Sequence, residues 1–382
     1  MAIGFGVVAM MLTAGYIEWT FWSTREESTT NQIGHIQASK PGYHANAKSD
    51  PFAYLLPADS TALTALENLP EKKFVSPRLA FNGLISHGET TLSFIGEGID
   101  PVKDPSSTNI LVIEGGLLSS DDPKGMVLGA GLAANLGVKT GDTIVLLTNT
   151  ASGGMNAVEG TVRGLVSTSM KDFDDNMLRV SIDLARDLLR TQGAHVWVVT
   201  LKKTELTDRA MARLKDDPTL SGFDIVPWSN LADYYNKMVE LFSKQVNVVK
   251  LIIAIIIVLS ISNTMTMSVM ERTVEIGTAM ALGVRRQRIL VLFLLEGALL
   301  GVLAGICGVT LGYLSAELIS YVGIPMPAAP GMSRGFVAAI IITPGIIFDA
   351  LLLAVTTTLV ASIYPAWRAS RLVIVDALRH NR

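Results

Sequence analysis

The sequence predicts an α-helical membrane protein with four transmembrane helices plus a large α+β extracytoplasmic domain inserted between helices 1 and 2. Three observations predict this: an apolar composition, four apolar runs of membrane-spanning length, and an uneven distribution of arginine. Of the 382 residues, 49% are hydrophobic and 17% are charged, and the mean hydropathy is +0.41. This composition is typical of a chain whose apolar residues face lipid as well as a protein core.

The apolar residues are collected in four long runs. A hydrocarbon core about 30 Å thick needs roughly 20 mostly apolar residues in one helix. The runs that meet this length are 2–22, 246–270, 289–319 and 344–365. The first run has neither a basic n-region nor a small-residue cleavage site, so we predict a membrane helix there and not a signal peptide.

The polar stretch 23–245 between the first two runs has the pattern of an α+β domain. Runs of strand-like alternation separated by Gly and Pro lie between Leu66 and Pro101, and helical spacing follows at 183–190 and 208–220. We predict two subdomains, one of them a β-rich unit inserted at about 79–177. We also predict that residues 223–247 form a helix that continues into the second membrane helix.

Charge indicates the orientation. Residues 23–245 hold 21 Lys and Arg against 27 Asp and Glu, which leaves 10 against 7 elsewhere, and the overall net charge of −3 does not suggest nucleic acid as a partner. The segments 271–288 and 366–382 each hold four arginines, whereas 320–343 holds only Arg334. Arginine-rich short loops face the cytoplasm. We therefore predict that residues 271–288 and 366–382 lie in the cytoplasm. Residues 23–245 and 320–343 would then lie on the extracytoplasmic side.

One glycine motif suggests a nucleotide site, but its context does not. Gly129, Gly131 and Ala134 spell G-x-G-x-x-A, yet no acidic residue follows at the expected offset and no βαβ unit surrounds the motif. We predict a short helix closed by Gly137 instead. The chain also lacks a phosphate-binding G-x-x-x-x-G-K-[ST] loop, so we expect it to bind no ATP itself.

No other pattern indicates catalysis or a metal. The five histidines, which we predict to lie on the surface, are His35, His44, His87, His195 and His380. They show no metal-ligand spacing, and no nucleophile elbow occurs. The only cysteine, Cys307, lies in the third apolar run, where we expect a buried thiol. The sequence thus predicts no catalytic residue, no metal and no cofactor in this chain.

The segment after the second run differs from an ordinary loop. Val274, Ile276, Ala279 and Met280 alternate with charged residues at helical spacing, and Gly283 is placed to end such a helix after about three turns. Two interpretations stay open. The helix can offer a rigid surface to a partner protein, or it can rest on lipid headgroups with its arginines binding anionic lipid.

The third run carries two series of glycines at intervals of four, first Gly297, Gly301 and Gly305 and then Gly308 and Gly312. Small residues at this spacing let helix backbones approach closely in lipid. Two interpretations are open. The glycines can form a seam for dimerisation or sliding, or they can serve ordinary packing within one chain.

Ionisable residues also lie near the ends of the spans: Glu18, Lys250, Glu296, Glu317 and Asp349. We expect these side chains to snorkel toward water and not to form a proton relay, which would need several such residues at mid-membrane.

Several stretches resemble one family. Ser262–Tyr313 resembles the signature of the FtsX-like permeases, and Tyr364–Arg379 is similar to their closing motif. Val127–Leu147 resembles a recurrent segment of their extracytoplasmic domain, and Gly34–Pro51 is similar to the lipoprotein-releasing (LolC/LolE-like) branch. On these stretches the chain is identified as a member of the FtsX-like/MacB-like ABC transporter permease family, with most resemblance to that branch.

The resemblance implies a permease subunit of the bacterial cytoplasmic (inner) membrane. It would form a homodimer or a heterodimer with a related permease and recruit a separate cytoplasmic ATPase, which binds ATP and Mg. The positions that match the family's coupling motif are Glu271, Arg272, Glu275, Gly277, Ala281, Gly283 and Arg285. Met280 and Val375 depart from the pattern, since many relatives carry a basic residue and a proline there. In relatives a cytoplasmic amphipathic helix precedes the first span.

Three functions stay open at this point. The first is lipoprotein release or export of envelope amphiphiles, with membrane lipids and a periplasmic chaperone as further partners. The second is drug or peptide export with an adaptor and an outer-membrane channel. The third is transmembrane signalling to a periplasmic hydrolase without transport, which the size of the domain at 23–245 disfavours. The residues identify no cargo.

Overall fold

The computed structural model describes residues 1–47, 50–58, 60–104, 110–168, 170–328, 331–332 and 335–373. The chain divides into two compact units. We call the first, which comprises Met1–Trp22, Lys237–Met326 and Val337–Arg382, the helical unit. We call the second, which comprises Ser23–Asn236 and Pro327–Phe336, the sheet unit.

The helices and strands are numbered in chain order. The helices are α1 Ala2–Glu27, α2 Tyr43–Asn46, α3 Thr61–Glu67, α4 Ala130–Leu136, α5 Lys171–Asp174, α6 Ile182–Leu189, α7 Thr207–Lys215, α8 Trp228–Leu231, α9 Asp233–Glu271, α10 Thr273–Ala281, α11 Arg286–Val322 and α12 Pro344–Ser370. The strands are β1 Ile36–Ser39, β2 Lys72–His87, β3 Thr90–Ile99, β4 Leu111–Gly115, β5 Gly125–Gly129, β6 Thr143–Asn149, β7 Met155–Ser167, β8 Met177–Ser181, β9 Val196–Leu201, β10 Asp224–Pro227, β11 Ile324–Met326 and β12 Phe336–Ala338.

Four helical segments in the described part of the chain are long and apolar enough to cross a membrane: Ala2–Gln32, Asp233–Glu271, Arg286–Val322 and Pro344–Ser370. They extend beyond the apolar runs at most ends. Hydropathy registers only the residues suited to lipid, whereas the backbone hydrogen bonds of a helix continue through polar residues.

The core of the helical unit is formed by small and aliphatic side chains. Val7 and Met11 of α1 pack with Ile257 of α9 and with Ala350 and Ala354 of α12, and all five are buried. Cys307, which we expected to be buried, is exposed on α11. That expectation was wrong because an apolar run does not reveal which face of a membrane helix meets lipid.

The sheet unit is organised around β2, a strand of 16 residues. Its first half, to Arg78, pairs with β9, and its second half, from Leu79, pairs with β3. The strand order is β10-β1-β9-β2-β3-β8-β5-β7-β4, and β6 pairs with both β2 and β7. One hydrophobic core surrounds Trp197 and a second surrounds Leu79 and Phe94.

The β-rich unit ends later than the sequence pattern placed it. Strand β8 pairs in parallel with β3, and Leu184 and Leu188 of α6 belong to the same core as Leu79. The unit that we expected at 79–177 therefore continues to the end of α6. A parallel pairing between distant strands leaves no local signal in the sequence.

The segment 223–247, expected to be one helix, is not continuous. Residues 224–227 form β10, which pairs with β1 in a register that places Pro227 opposite Ile36. The long helix α9 begins only at Asp233, after the short α8. Proline and the pairing with β1 override the helical pattern there.

The glycines of the G-x-G-x-x-A motif serve close packing. A Cβ atom on Gly129 would lie 2.2 Å from the carbonyl oxygen of Asp174, and one on Gly131 would lie 1.9 Å from Asp175 Oδ1. Gly137 follows α4 with φ +74°, as expected for a residue that ends a helix. The motif thus allows residues 174–175 to approach α4.

Candidate coupling site

The predicted coupling segment 271–288 is built from four parts and is not one helix. Glu271 ends α9, Arg272 leaves the helical conformation with φ −97° and ψ 13°, and α10 starts at Thr273. The Thr273 hydroxyl donates toward the carbonyl oxygens of Val269 and Met270, at 3.0 and 2.8 Å. The side chain thereby satisfies carbonyls that the end of α9 leaves without a helical partner. A turn and the start of α11 complete the segment.

Gly283 ends α10 in a Schellman motif. The Gly283 N–H donates to Met280 O and the Val284 N–H donates to Ala279 O, both at 3.1 Å. The φ of Gly283 is +97°, a left-handed conformation that glycine adopts without strain. The turn between α10 and α11 therefore has a defined geometry.

One face of α10 is packed against three other helices. Ile276 and Met280 are buried in a cluster that includes Val269 of α9, Phe293 of α11 and Ala366 of α12. Burial of one such side chain contributes roughly 1.5–3 kcal/mol. This packing holds α10 firmly against the ends of the membrane helices.

The opposite face of α10 is exposed in the described part of the chain. Six of the seven predicted coupling residues are exposed, namely Glu271, Arg272, Glu275, Ala281, Gly283 and Arg285. Gly277 is buried on the packed face instead. Leu282, which the sequence pattern did not single out, is also on this face and is 83% exposed. Its position outside the apolar stripe of α10 and directly before Gly283 is the signal that could have identified it.

Arg272 also makes a contact within the chain. Its Nη1 lies 3.6 Å from Glu296 Oε1 on α11, and both side chains are partly exposed. Glu296, expected to snorkel, thus has an ion-pair partner. An exposed pair of this kind contributes little stability, and Arg272 remains part of the exposed surface.

Three of the five glycines in α11 pack against α12 of the same chain. A Cβ atom on Gly297 would lie 2.0 Å from Ser362 Oγ, and one on Gly301 would lie 2.1 Å from Thr358 Oγ1. One on Gly305 would lie 3.3 Å from the Cβ of Ala354.

The other two glycines pack against α1. A Cβ atom on Gly308 would lie 2.8 Å from the Cβ of Val7, and one on Gly312 would lie 2.9 Å from Met11 Sδ. Of the two interpretations of the glycine spacing, packing within one chain accounts for all five.

A matching stripe of small residues, which we did not predict, lies on α12. Its members recur at intervals of four and are all buried: Ala350, Ala354, Thr358, Ser362, Ala366 and Ser370. The hydroxyls of Thr358 and Ser362 donate to carbonyl oxygens one turn earlier in their own helix, at 2.9 and 2.7 Å. Small surfaces on both helices therefore allow α11 and α12 to approach closely.

Two buried arginines in the sheet unit hold the backbone that follows α1. Arg78 binds Asp104 through two hydrogen bonds, Nε to Oδ2 at 2.7 Å and Nη2 to Oδ1 at 2.9 Å, and its Nη1 donates to Gln32 O. Arg179 Nη2 donates to Asn31 O at 3.0 Å. Burial alone lowers the pKa of Arg78, but Asp104 and Glu97 raise it overall.

We call this arrangement the arginine clamp. The carbonyls of Asn31 and Gln32 belong to the π-helical turn Ser28–Gln32 and to its end, where no regular helical partner is available. Arg78 lies on β2 and Arg179 on β8, so the clamp ties this turn to two strands of the sheet.

Two histidines are buried, so the expectation that all five lie on the surface was wrong. His35 Nδ1 accepts from the Leu201 N–H at 3.3 Å, and its Nε2 lies 3.1 Å from Thr204 Oγ1. His195 Nδ1 accepts from the Ala80 N–H at 3.1 Å, and its ring stacks on Tyr43. Burial lowers the pKa of each to about 4, so both are neutral at pH 7.

No group of His, Cys, Asp and Glu suited to a metal occurs among the described residues. His380, Val375 and the end of the closing motif, together with Arg334, lie outside the described residues.

Four apolar helices, a short helix packed at the ends of three of them and a separate sheet-rich unit define the architecture of a multi-pass permease. The model of the FtsX-like permease C-terminal domain matches residues 247–374. The model of the MacB-like periplasmic core domain matches residues 1–217. The chain belongs to this family of ABC transporter permeases.

Individual relatives are similar over long stretches. The uncharacterized ABC transporter permease MJ1507 of Methanocaldococcus jannaschii is 27% identical over 70% of this chain and 65% of its own length. The lipoprotein-releasing system transmembrane protein LolE of Haemophilus influenzae is 25% identical over 80% of this chain and 77% of its own length.

The macrolide export ATP-binding/permease protein MacB of Hyphomonas neptunium is 27% identical over 98% of this chain. The aligned part is 56% of that MacB protein. The chain thus spans less than two thirds of both MJ1507 and this MacB.

Proposed function

We propose that this chain couples ATP hydrolysis by a separate cytoplasmic ATPase to movement of its own extracytoplasmic domain. The observation that carries the proposal is the two-sided burial of α10. Ile276 and Met280 are buried against α9, α11 and α12, whereas Glu271, Glu275 and Arg285 are exposed. A partner that grips the exposed face acts on the ends of three helices at once.

The exposed face has the chemistry of a protein interface. Leu282 supplies an apolar side chain at the end of α10, and charged residues surround the helix. A single well-placed apolar anchor within a polar rim contributes much of the affinity of many interfaces. We propose that Leu282 inserts into the ATPase and that Glu271 and Glu275 orient it.

We propose that ATP and Mg bind to the separate ATPase. The chain has no phosphate-binding loop. We propose that this chain itself is not an enzyme.

The arginine clamp supports a mechanical role for the sheet unit. Helix α1 reaches Glu27, and the backbone directly after it is held by Arg78 and Arg179. We propose that displacement of α1 reaches β2 and β8 through these hydrogen bonds. The ectodomain would then change shape without substrate passing through the bilayer.

For the cargo we propose lipoproteins or other envelope amphiphiles released from the outer leaflet of a bacterial inner membrane. The similarity to LolE over 80% of the chain favours this class. Export of a drug or peptide with an adaptor and an outer-membrane channel is the second candidate, favoured by the similarity to a macrolide exporter over 98% of the chain. Either function fits a homodimer or a heterodimer with a related permease.

The test is recruitment of the ATPase in detergent-solubilised membranes. Leu282→Asp, and separately Glu271→Arg with Glu275→Arg, are compared with Glu317→Arg, an exposed residue near the other end of α11. We expect recovery of the ATPase to fall roughly tenfold or more in the first two variants and to stay unchanged in the control. Equal recovery in all variants would remove α10 from the interface.

The cargo is tested separately on the intact complex. Purification in nanodiscs followed by mass spectrometry of bound ligands should identify acylated polypeptides if the first candidate holds. Recovery of macrolides or unmodified peptides would favour the second.

A further inference from the structure

A groove of about 440 Å³ lies beside the coupling segment, within the helical unit. Met270 and Thr273, at the junction of α9 and α10, line one side, and Pro365, Arg368, Arg371 and Leu372, at the end of α12, line the other. The volume is in the range of pockets that hold small ligands, roughly 300–1,000 Å³.

The groove is positively charged. Arg368 and Arg371 line it, and no Asp or Glu lines it in the part of the chain that the structure describes. Neither arginine forms an ion pair with any residue in the described part of the chain. The guanidinium of Arg371 lies over the ring of Trp367, 4.5 Å from its centroid, which orients it. Two guanidinium groups that have no carboxylate partner among the described residues favour an anion as the occupant.

Among the lining side chains, the two arginines are the ones that would bind an anion. The hydroxyls of Thr266 and Thr273 already donate to backbone carbonyls of the preceding turn. The other walls are apolar, with Met270, Pro365 and Leu372. A free inorganic anion gains nothing from apolar walls, whereas a lipid presents a charged headgroup and acyl chains together.

Aromatic side chains indicate that the groove lies at headgroup depth. Tyr364 and Trp367 stack with ring centroids 6.4 Å apart, and both are exposed on α12. Tyrosine and tryptophan concentrate at the membrane–water boundary, and arginine-rich ends of spans face the cytoplasm. Basic pockets between membrane helices at this depth bind anionic headgroups.

We infer that the groove between Met270, Arg368 and Arg371 binds the headgroup phosphate of an anionic phospholipid of the cytoplasmic leaflet. The lipid would contact the start of α10 and the end of α12 at the same time. It would thereby stabilise the arrangement in which α10 is packed against α12. This inference does not depend on which cargo or ATPase the permease has.

The test is lipid binding to the delipidated full-length permease, followed by native mass spectrometry. Phosphatidylglycerol and phosphatidylcholine are compared on the wild-type chain, on Arg368→Gln with Arg371→Gln, and on Arg286→Gln with Arg288→Gln. The last variant removes the same charge from the start of α11, outside the groove. We expect wild type to prefer phosphatidylglycerol, the groove variant to bind it roughly tenfold or more weakly, and the control to bind like wild type.

Three results would overturn the inference. The first is equal binding of the two lipids by the wild-type chain. This result does not depend on whether any variant folds. The second is an equal loss of affinity in both double variants. The third is displacement of the lipid by soluble glycerophosphoglycerol at the concentration at which phosphatidylglycerol itself competes, which would indicate a site for a free anion.

Fluorescence gives a second readout, because phosphatidylglycerol with brominated acyl chains should quench the tryptophan fluorescence of wild type more than that of Trp367→Phe.

Discussion

Lys250 of α9 donates from Nζ to Asp349 Oδ2 of α12 at 2.6 Å, so an ion pair joins the second and fourth membrane helices. The side chains are only 28% and 49% exposed. Each residue was expected to reach water separately by snorkelling. Their pairing instead neutralises two charges close to the apolar region, where isolated charges are costly.

Reversing one charge of this pair should destabilise the permease. Lys250→Asp places two carboxylates together, and we expect the thermal midpoint in detergent to fall by several degrees. The exchange Lys250→Asp with Asp349→Lys should restore most of the loss, with a coupling energy of about 1–3 kcal/mol. Additive losses in the exchanged protein would show that the pair contributes nothing.

Gly301 and Gly305 allow the same substitution to be compared at two distances from α12. In Gly301→Ala the new Cβ would lie 2.1 Å from Thr358 Oγ1, whereas in Gly305→Ala it would lie 3.3 Å from Ala354 Cβ. We expect Gly301→Ala to cost about 1–3 kcal/mol through overpacking and Gly305→Ala to cost much less. Unfolding in mixed detergent micelles measures both, and equal effects would contradict the proposed close approach.

Loss of the arginine clamp should lower the free energy of unfolding far more than loss of an exposed arginine. Arg78→Leu leaves Asp104 buried without its partner, and we expect the free energy of unfolding to fall by about 3–5 kcal/mol. Arg209 is 67% exposed and shares the buried carboxylate of Glu71 with Arg213, so Arg209→Leu leaves that carboxylate paired and should cost about 0–1 kcal/mol. Chemical denaturation followed by circular dichroism compares the two, and similar midpoints would refute a special role for Arg78.

The buried histidines predict loss of stability in acid. In the folded chain the pKa of His35 and of His195 is about 4, below the ordinary value of 6.5. Above pH 6.5 both states hold neutral histidine, and as the pH falls toward 4 only the unfolded chain takes up these protons. The free energy of unfolding therefore falls across this window, by up to roughly 3 kcal/mol for each histidine.

The check is the thermal midpoint between pH 4 and 7.5 for the wild-type chain and for His35→Gln with His195→Gln. Carboxylates titrate in both proteins, so the difference between the two curves isolates the histidines. The variant should show the weaker dependence on pH, and parallel curves would refute the prediction.

Local patterns anticipated some features of the site well and others not at all. Gly283 was identified because the end of a helix needs a residue that tolerates a positive φ, which is a local requirement. The exposure of Leu282 and the stripe of small residues on α12 also have local signals in the sequence. The partners of Lys250 and Glu296 lie on other helices, so no spacing along one helix could identify them.

The sequence by itself determined the four apolar helices, the polar domain between the first two and the family of this protein, because hydropathy and turn residues act over short stretches. The tertiary structure alone decided which faces are buried. It placed Gly277 on the packed side of α10, and His35 and His195 inside the sheet unit. Burial depends on neighbours that are far away in the chain, and those neighbours become known only when the helices and strands have packed.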